Sequence, residues 1–201
     1  MDSNKRIMEE ASAVEAYTIS ARRLIHAYAE IGGMEVKTNS FIRAELDAAG
    51  IPYETVADTG LIATFDTGKP GPGIALRADI DALPIRENAN NLAGPRTCIS
   101  ENEQTCHACG HDAHAAMLLG SIKVLCRLRD ELCGVIYFCF EEGEECGKGV
   151  AQMMEALQKR RVDTVWGIHV YAMMESGKIN VSPGPRMAGA AGLEIRVKGK
   201  G

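Results

Sequence analysis

The sequence predicts an α/β fold: a mixed, largely parallel sheet flanked by helices. Helical and strand periodicities alternate along most of the chain. Residues 134–140 form a continuous apolar run of strand length, as a strand covered on both faces requires. Acidic and imidazole side chains recur where strands are expected to end, at Asp79, Asp81, the run 141–145 and His169.

From residue 3 to 30 the apolar residues Ile7, Ala11, Val14, Tyr17, Ala21, Leu24 and Tyr28 recur at three- and four-residue steps, which predicts an amphipathic helix ended by Gly32-Gly33. A second helix is predicted over 36–49, with Phe41, Ile42 and Leu46 inward, Gly50 as its terminator and Pro52 forbidding continuation. The period then changes. Residues 53–57, 61–65 and 73–78 read as short strands, the first two joined at Asp58-Thr59-Gly60 by a hairpin-type turn. The third runs into Asp79-Ile80-Asp81 and a loop rich in Asn, Gly and Pro up to Thr105. A largely buried helix is expected over 113–132, the apolar strand at 134–140, a helix over about 148–159, and strands at 164–170, 178–181 and 193–198.

At 201 residues, 46% hydrophobic and 24% charged, the chain is long enough for one sizeable core. Its net charge of -5 is mild and spread out, leaving no basic stripe for nucleic acid and no polybasic anchor for a membrane. Seven cysteines, an odd number, with no charged-then-apolar leader and no apolar run of about 18 residues, point to free thiols in a reducing, cytoplasmic setting. The alternating stretch 193–198 runs into Gly199 with no partner following, so the chain is expected to be the N-terminal part of a longer protein.

The chemistry is expected at Cys106-His107-Ala108-Cys109-Gly110-His111-Asp112-Ala113-His114, where two thiols, three imidazoles and a carboxylate fall together ahead of the long apolar helix. These side chains bind borderline divalent metals, and a central Gly lets the backbone turn so that two of them converge. Several readings compete. Cys106, Cys109, His111 and His114 would make a closed zinc site, although such sites usually draw their ligand pairs from well-separated segments. Cys106 and Cys109 would make a redox dithiol, although a long irregular segment rather than a strand precedes them. Reduced thiols and capping residues without a metal are a third reading. In the fourth, one Cys and one His are the local part of a site completed from distant strand ends.

Several stretches resemble the metal-dependent amidohydrolases of the aminoacylase, hippurate hydrolase and indoleacetyl-amino acid hydrolase type, relatives of the dinuclear zinc carboxypeptidases and aminopeptidases. They are Arg22-Arg23-Leu24-Ile25-His26 with Glu30, residues 75–84, residues 107–114 with Met117-Leu118-Leu119-Gly120, the strand leading to Glu144-Glu145, and Gly167-Ile168-His169. The resemblance implies a zinc-exopeptidase-like catalytic domain over 1–188 and the start of a lid or dimerisation domain at 189–201. It implies Cys109 as a ligand bridging two ions, His111 and His169 beside it on one ion, Glu145 on the other, and Glu144 as general base. The family's remaining metal ligand is a His far downstream. This chain departs from the family at Glu141 and Glu142, where Gln and Pro usually stand; alignment on Phe140 selects Glu144 and Glu145, while composition lets the earlier pair compete.

Such a site would hold two divalent ions, zinc or manganese first, with cobalt or nickel compatible. These lower the pKa of a bound water from about 15.7 towards about 7 and polarise the carbonyl it attacks. The implied reaction is hydrolysis of the amide bond of small N-acyl amino acids or peptides, by a protein that is a homo-oligomer at full length; this chain by itself is expected to be nearly inactive. Asp79 and Asp81 either cap the loop after their strand or orient ligands. His26 is read as structural, His114 as packing or orienting, and Cys98, Cys126, Cys133, Cys139 and Cys146 as core or surface thiols. The alternative function is a non-catalytic metal-binding or interaction module.

Overall fold

The computed structural model describes residues 3–200 except 186, 188, 190 and 191. Contacts divide the chain into 1–170 and 171–201.

Two helices open the first unit. α1 (Ser3–Tyr28) ends where Ala29 turns into the left-handed region at φ 35°, so the chain leaves the helix before Gly32-Gly33. Its buried stripe is Val14, Ala21 and Ile25; Leu24, expected inward, is on the outer side, as is Ile7. α2 (Val36–Ala49) stops at Gly50, whose left-handed backbone donates to the carbonyls of Leu46 and Asp47.

The sheet has five strands in the order β1 (Tyr53–Val56), β2 (Gly60–Asp66), β6 (Val135–Glu141), β3 (Gly73–Asp79), β7 (Thr164–Gly167). β1 and β2 form the expected hairpin, with Val56 opposite Gly60. β2 runs antiparallel to β6, whereas β3 is parallel to both β6 and β7. The half that carries β3, β6 and β7 is therefore the parallel half. The loop after β3 contains a two-residue ladder of β4 (Asn90–Asn91) with β5 (Gly94–Pro95). α3 (His111–Arg127) begins two residues before the expected start and gives way to a short 3-10 turn at Arg129–Glu131. α4 spans Val150–Gln158.

Alternation along β6 builds both faces of the core. Ile136, Phe138 and Phe140 pack with Ile25, Ile42, Leu46, Leu119 and Ile122 beneath α1, α2 and α3. Tyr137 and Cys139 point the other way, with Ala75 and Ile62, onto Met153 of α4. A strand buried on both faces has no polar side, hence the unbroken apolar run.

Three strand expectations are corrected. β7 ends at Gly167 rather than 170, leaving His169 on irregular chain past the strand end. Residues 178–181 and, among the described residues, 193–198 form no strand. Alternating apolar residues make a strand only when a neighbour takes up their backbone groups; Leu193, Ile195 and Val197 have no such ladder and are exposed. Among the described residues no helix is long and apolar enough to cross a membrane.

Candidate metal centre

Parallel strands deliver their C-terminal ends to one edge of a sheet, and here three ends meet. β3 ends on Asp79 and continues to Asp81, β6 ends on Glu141, and β7 leads to His169. The Ile80 N–H donates to the Glu141 carbonyl at 3.0 Å, so both chains pass the edge together. α3 starts at the same edge. Its N-cap Gly110 has φ 92°, and a Cβ there would lie 2.4 Å from Val170 Cγ2, so only glycine lets Cys109 and His111 approach the segment carrying His169.

Hydrogen bonds orient the imidazoles. His111 Nδ1 lies 3.1 Å from Asp81 Oδ1, and the other Asp81 oxygen accepts the Glu145 N–H at 3.0 Å. His169 Nδ1 faces the Val170 carbonyl at 2.6 Å, an acceptor only, so that nitrogen carries the proton and Nε2 presents its lone pair. His114 Nε2 accepts the Val170 N–H at 2.9 Å, which makes Nδ1 the donor to Asp79 Oδ1 at 2.6 Å. The second Asp79 oxygen takes Arg77 at 2.7 Å.

The free nitrogens converge. His169 Nε2 is 3.5 Å from Cys109 Sγ. His111 Nε2 is buried with no hydrogen-bond partner among the described residues, and three carboxylate oxygens surround it: Asp79 Oδ2 at 3.5 Å, Glu145 Oε1 at 3.7 Å and Glu144 Oε2 at 3.9 Å. Cys109, His111 and His169 offer ligand atoms within 4.8 Å of one another, as do His111, Glu144 and Glu145. A buried imidazole nitrogen with a lone pair, no partner and a carboxylate-bound Nδ1 has the setting of a metal ligand. A third grouping within the same distance joins Asp79, His111 and His114, but His114 has both ring nitrogens engaged.

The electrostatics fit a cation. Burial pushes the Cys109 thiol up, to about 12, and the Glu145 carboxylate adds to it; a divalent ion reverses that balance, because a coordinating thiol is deprotonated outright. Burial is also the first cause raising Glu144. Asp79 goes the other way: burial would raise it, but the hydrogen bond from His114 and the neighbouring His111 and Arg77 hold it down to about 2.

Glu141 and Glu142 are placed elsewhere. Glu141 binds Arg77 Nε at 3.0 Å. Glu142 turns back to the β1–β2 hairpin, where one oxygen accepts from the backbone of Asp58 and Gly60 and from the Thr59 backbone and hydroxyl. Cys106 is buried and belongs to none of the groupings; all seven cysteines are free. Sequence reasoning missed Glu35, which supports the turn before Glu144. An acid placed directly before the apolar positions of α2 was the available signal.

Residues 75–200 match the model of Peptidase family M20/M25/M40. An N-acyl-L-amino acid amidohydrolase of Geobacillus stearothermophilus is 39% identical over 200 residues, which are 98% of this chain and 52% of that protein. An IAA-amino acid hydrolase of Arabidopsis thaliana is 38% identical over 204 residues, 98% of this chain and 44% of its own length. A crystal structure from Bacillus subtilis, described as a dinuclear metal binding peptidase from M20 family, superposes with a TM-score of 0.73 at 36% identity, covering 81% of this chain and 45% of that one. The chain thus spans about half the length of the curated relatives it matches.

Proposed function

The chain belongs to peptidase family M20/M25/M40, and on that premise we propose that the protein hydrolyses the amide bond of N-acyl amino acids or small peptides with the help of divalent metal. The observation that carries this reading is the partnerless Nε2 of buried His111, which faces Glu144 and Glu145 on one side of a cluster shared with Cys109 and His169.

In this reading Cys109, His111, His169 and Glu145 would hold two divalent ions, zinc being suited to the thiol and imidazoles and manganese to the carboxylate, with cobalt or nickel compatible. Divalent ions held there would supply Lewis acidity towards the carbonyl and lower the pKa of the attacking water. Asp81 orients two of the holding groups at once, through His111 Nδ1 and the Glu145 backbone. Asp79 and His114 fix the backbone of Val170, and with it the residue before, His169. Glu144, with its carboxylate near His111 but unbound to it, takes the proton of the attacking water and returns it to the leaving nitrogen. The protein works in the cytoplasm as a homo-oligomer, with residues 1–188 in the catalytic domain and 189–201 opening a lid or dimerisation domain.

Glu144→Gln tests the assignment in a form that turns over N-acetyl or N-benzoyl amino acids. Metal content and fold are retained while hydrolysis falls by about 10²-fold or more. Inactivation by Glu141→Gln or Glu142→Gln instead, with Glu144→Gln active, overturns it.

A further inference from the structure

A second polar concavity lies between α1 and the β4–β5 loop and shares no residue with the metal cluster. It is a pocket of about 310 Å³ whose walls include Arg22, Arg23, His26, Arg96 and Cys98. That volume falls at the lower end of the range for small-ligand sites. Three guanidinium groups in one small pocket repel each other unless something negative sits among them.

The protein supplies only part of that charge. Asp112 binds Arg22 Nε at 3.1 Å and His26 Nδ1 at 2.9 Å. Glu87 takes His26 Nε2 at 2.9 Å and lies 3.6 Å from Arg96 Nε. Arg96 Nε also donates to the Asn88 carbonyl at 2.9 Å. In both Arg22 and Arg96 these contacts use Nε, leaving the paired terminal nitrogens without a protein partner among the described residues. The Arg23 side chain has no hydrogen bond or ion pair there; only its backbone carbonyl is engaged, accepting from the Cys98 thiol at 3.2 Å. Two carboxylates thus anchor two arginines from one edge, and a third arginine has no counter-charge. The planar fork of guanidinium nitrogens matches the oxygens of phosphate or carboxylate in bidentate fashion.

We infer that this pocket binds the oxyanion group, phosphate or carboxylate, of a small metabolite through Arg22, Arg23 and Arg96. The site stands apart from the hydrolytic reading and needs no metal. Its test uses the chain after chelator treatment, so that phosphate cannot report on a metal. Inorganic phosphate and acetate are titrated separately by calorimetry at fixed ionic strength, and the tighter of the two identifies the class. Saturable binding is expected, weakened at least about tenfold by Arg23→Ala and by Arg96→Ala, and unchanged by Cys109→Ala. Both arginines are exposed, so the variants keep the fold. Maleimide modification of Cys98, read by mass spectrometry, is slowed severalfold by the bound anion and places it in this pocket. Absence of saturable binding, affinity in both arginine variants equal to that of the parent chain, or unchanged Cys98 labelling each overturns the proposal.

Discussion

Glu35 Oε1 accepts the backbone N–H of Gly143 at 2.8 Å, joining positions 108 residues apart. Its second oxygen accepts from the Thr59 hydroxyl at 2.6 Å, and the side chain is fully buried. Gly143 has φ 58° and stands immediately before Glu144, so this carboxylate fixes the turn that presents the candidate base. Glu35→Ala leaves the buried Gly143 N–H without an acceptor, and the Thr59 hydroxyl with Glu142 alone, and should cost about 2 kcal/mol. Glu35→Gln keeps an acceptor oxygen and should lose less. Urea unfolding of the two variants measures this, and an Ala variant as stable as the parent would refute the role.

Removing the thiol should remove metal. After dialysis against zinc or manganese the chain is expected to hold about one or two ions, and Cys109→Ala to lose most of them. Elemental analysis decides, and full retention would transfer the weight to Cys106.

Gly110→Ala should damage the centre without touching a ligand. The new methyl meets Val170 at 2.4 Å, and φ 92° disfavours any side chain. Together these should cost about 1–3 kcal/mol of stability and move His169 away from Cys109. Zinc affinity measured by chelator competition should fall with it; unchanged affinity would mean that the two segments adjust independently.

The helix layer has its own pH signature. Glu45 accepts the Tyr17 hydroxyl at 2.6 Å and pairs with Lys123 at 2.9 Å. Burial raises its pKa, yet those two partners outweigh burial and hold the carboxyl below its usual 4.5. A depressed folded-state value means stability that is present above the unfolded value and lost as pH falls through the folded one. Glu45→Gln should therefore cost about 1 kcal/mol at neutral pH, with the difference shrinking below pH 4.5. Thermal melts across that range test it, and a difference growing towards acid would contradict the pairing.

Local chemistry made much of the fold legible. The stop of α2 at Gly50, the hairpin at Asp58-Thr59-Gly60 and the doubly buried β6 depend on a few neighbouring residues and on period, and each is found where the pattern indicated. The stretch around Cys109 stands out in the sequence as well, because its side-chain types lie together and resemble a known arrangement. What only the tertiary structure decided is which groups face one another. The sequence alone left two glutamate pairs in competition; packing turns Glu142 to the hairpin and Glu141 to Arg77, while Glu144 and Glu145 lie by His111. It also brings Glu35 to Gly143 and Asp79 to His114, and leaves 193–198 without a ladder partner among the described residues. Periodicity reports whether a side chain points to the core, whereas hydrogen-bond partners and strand pairing depend on distant segments whose positions are set only when the sheet closes its register.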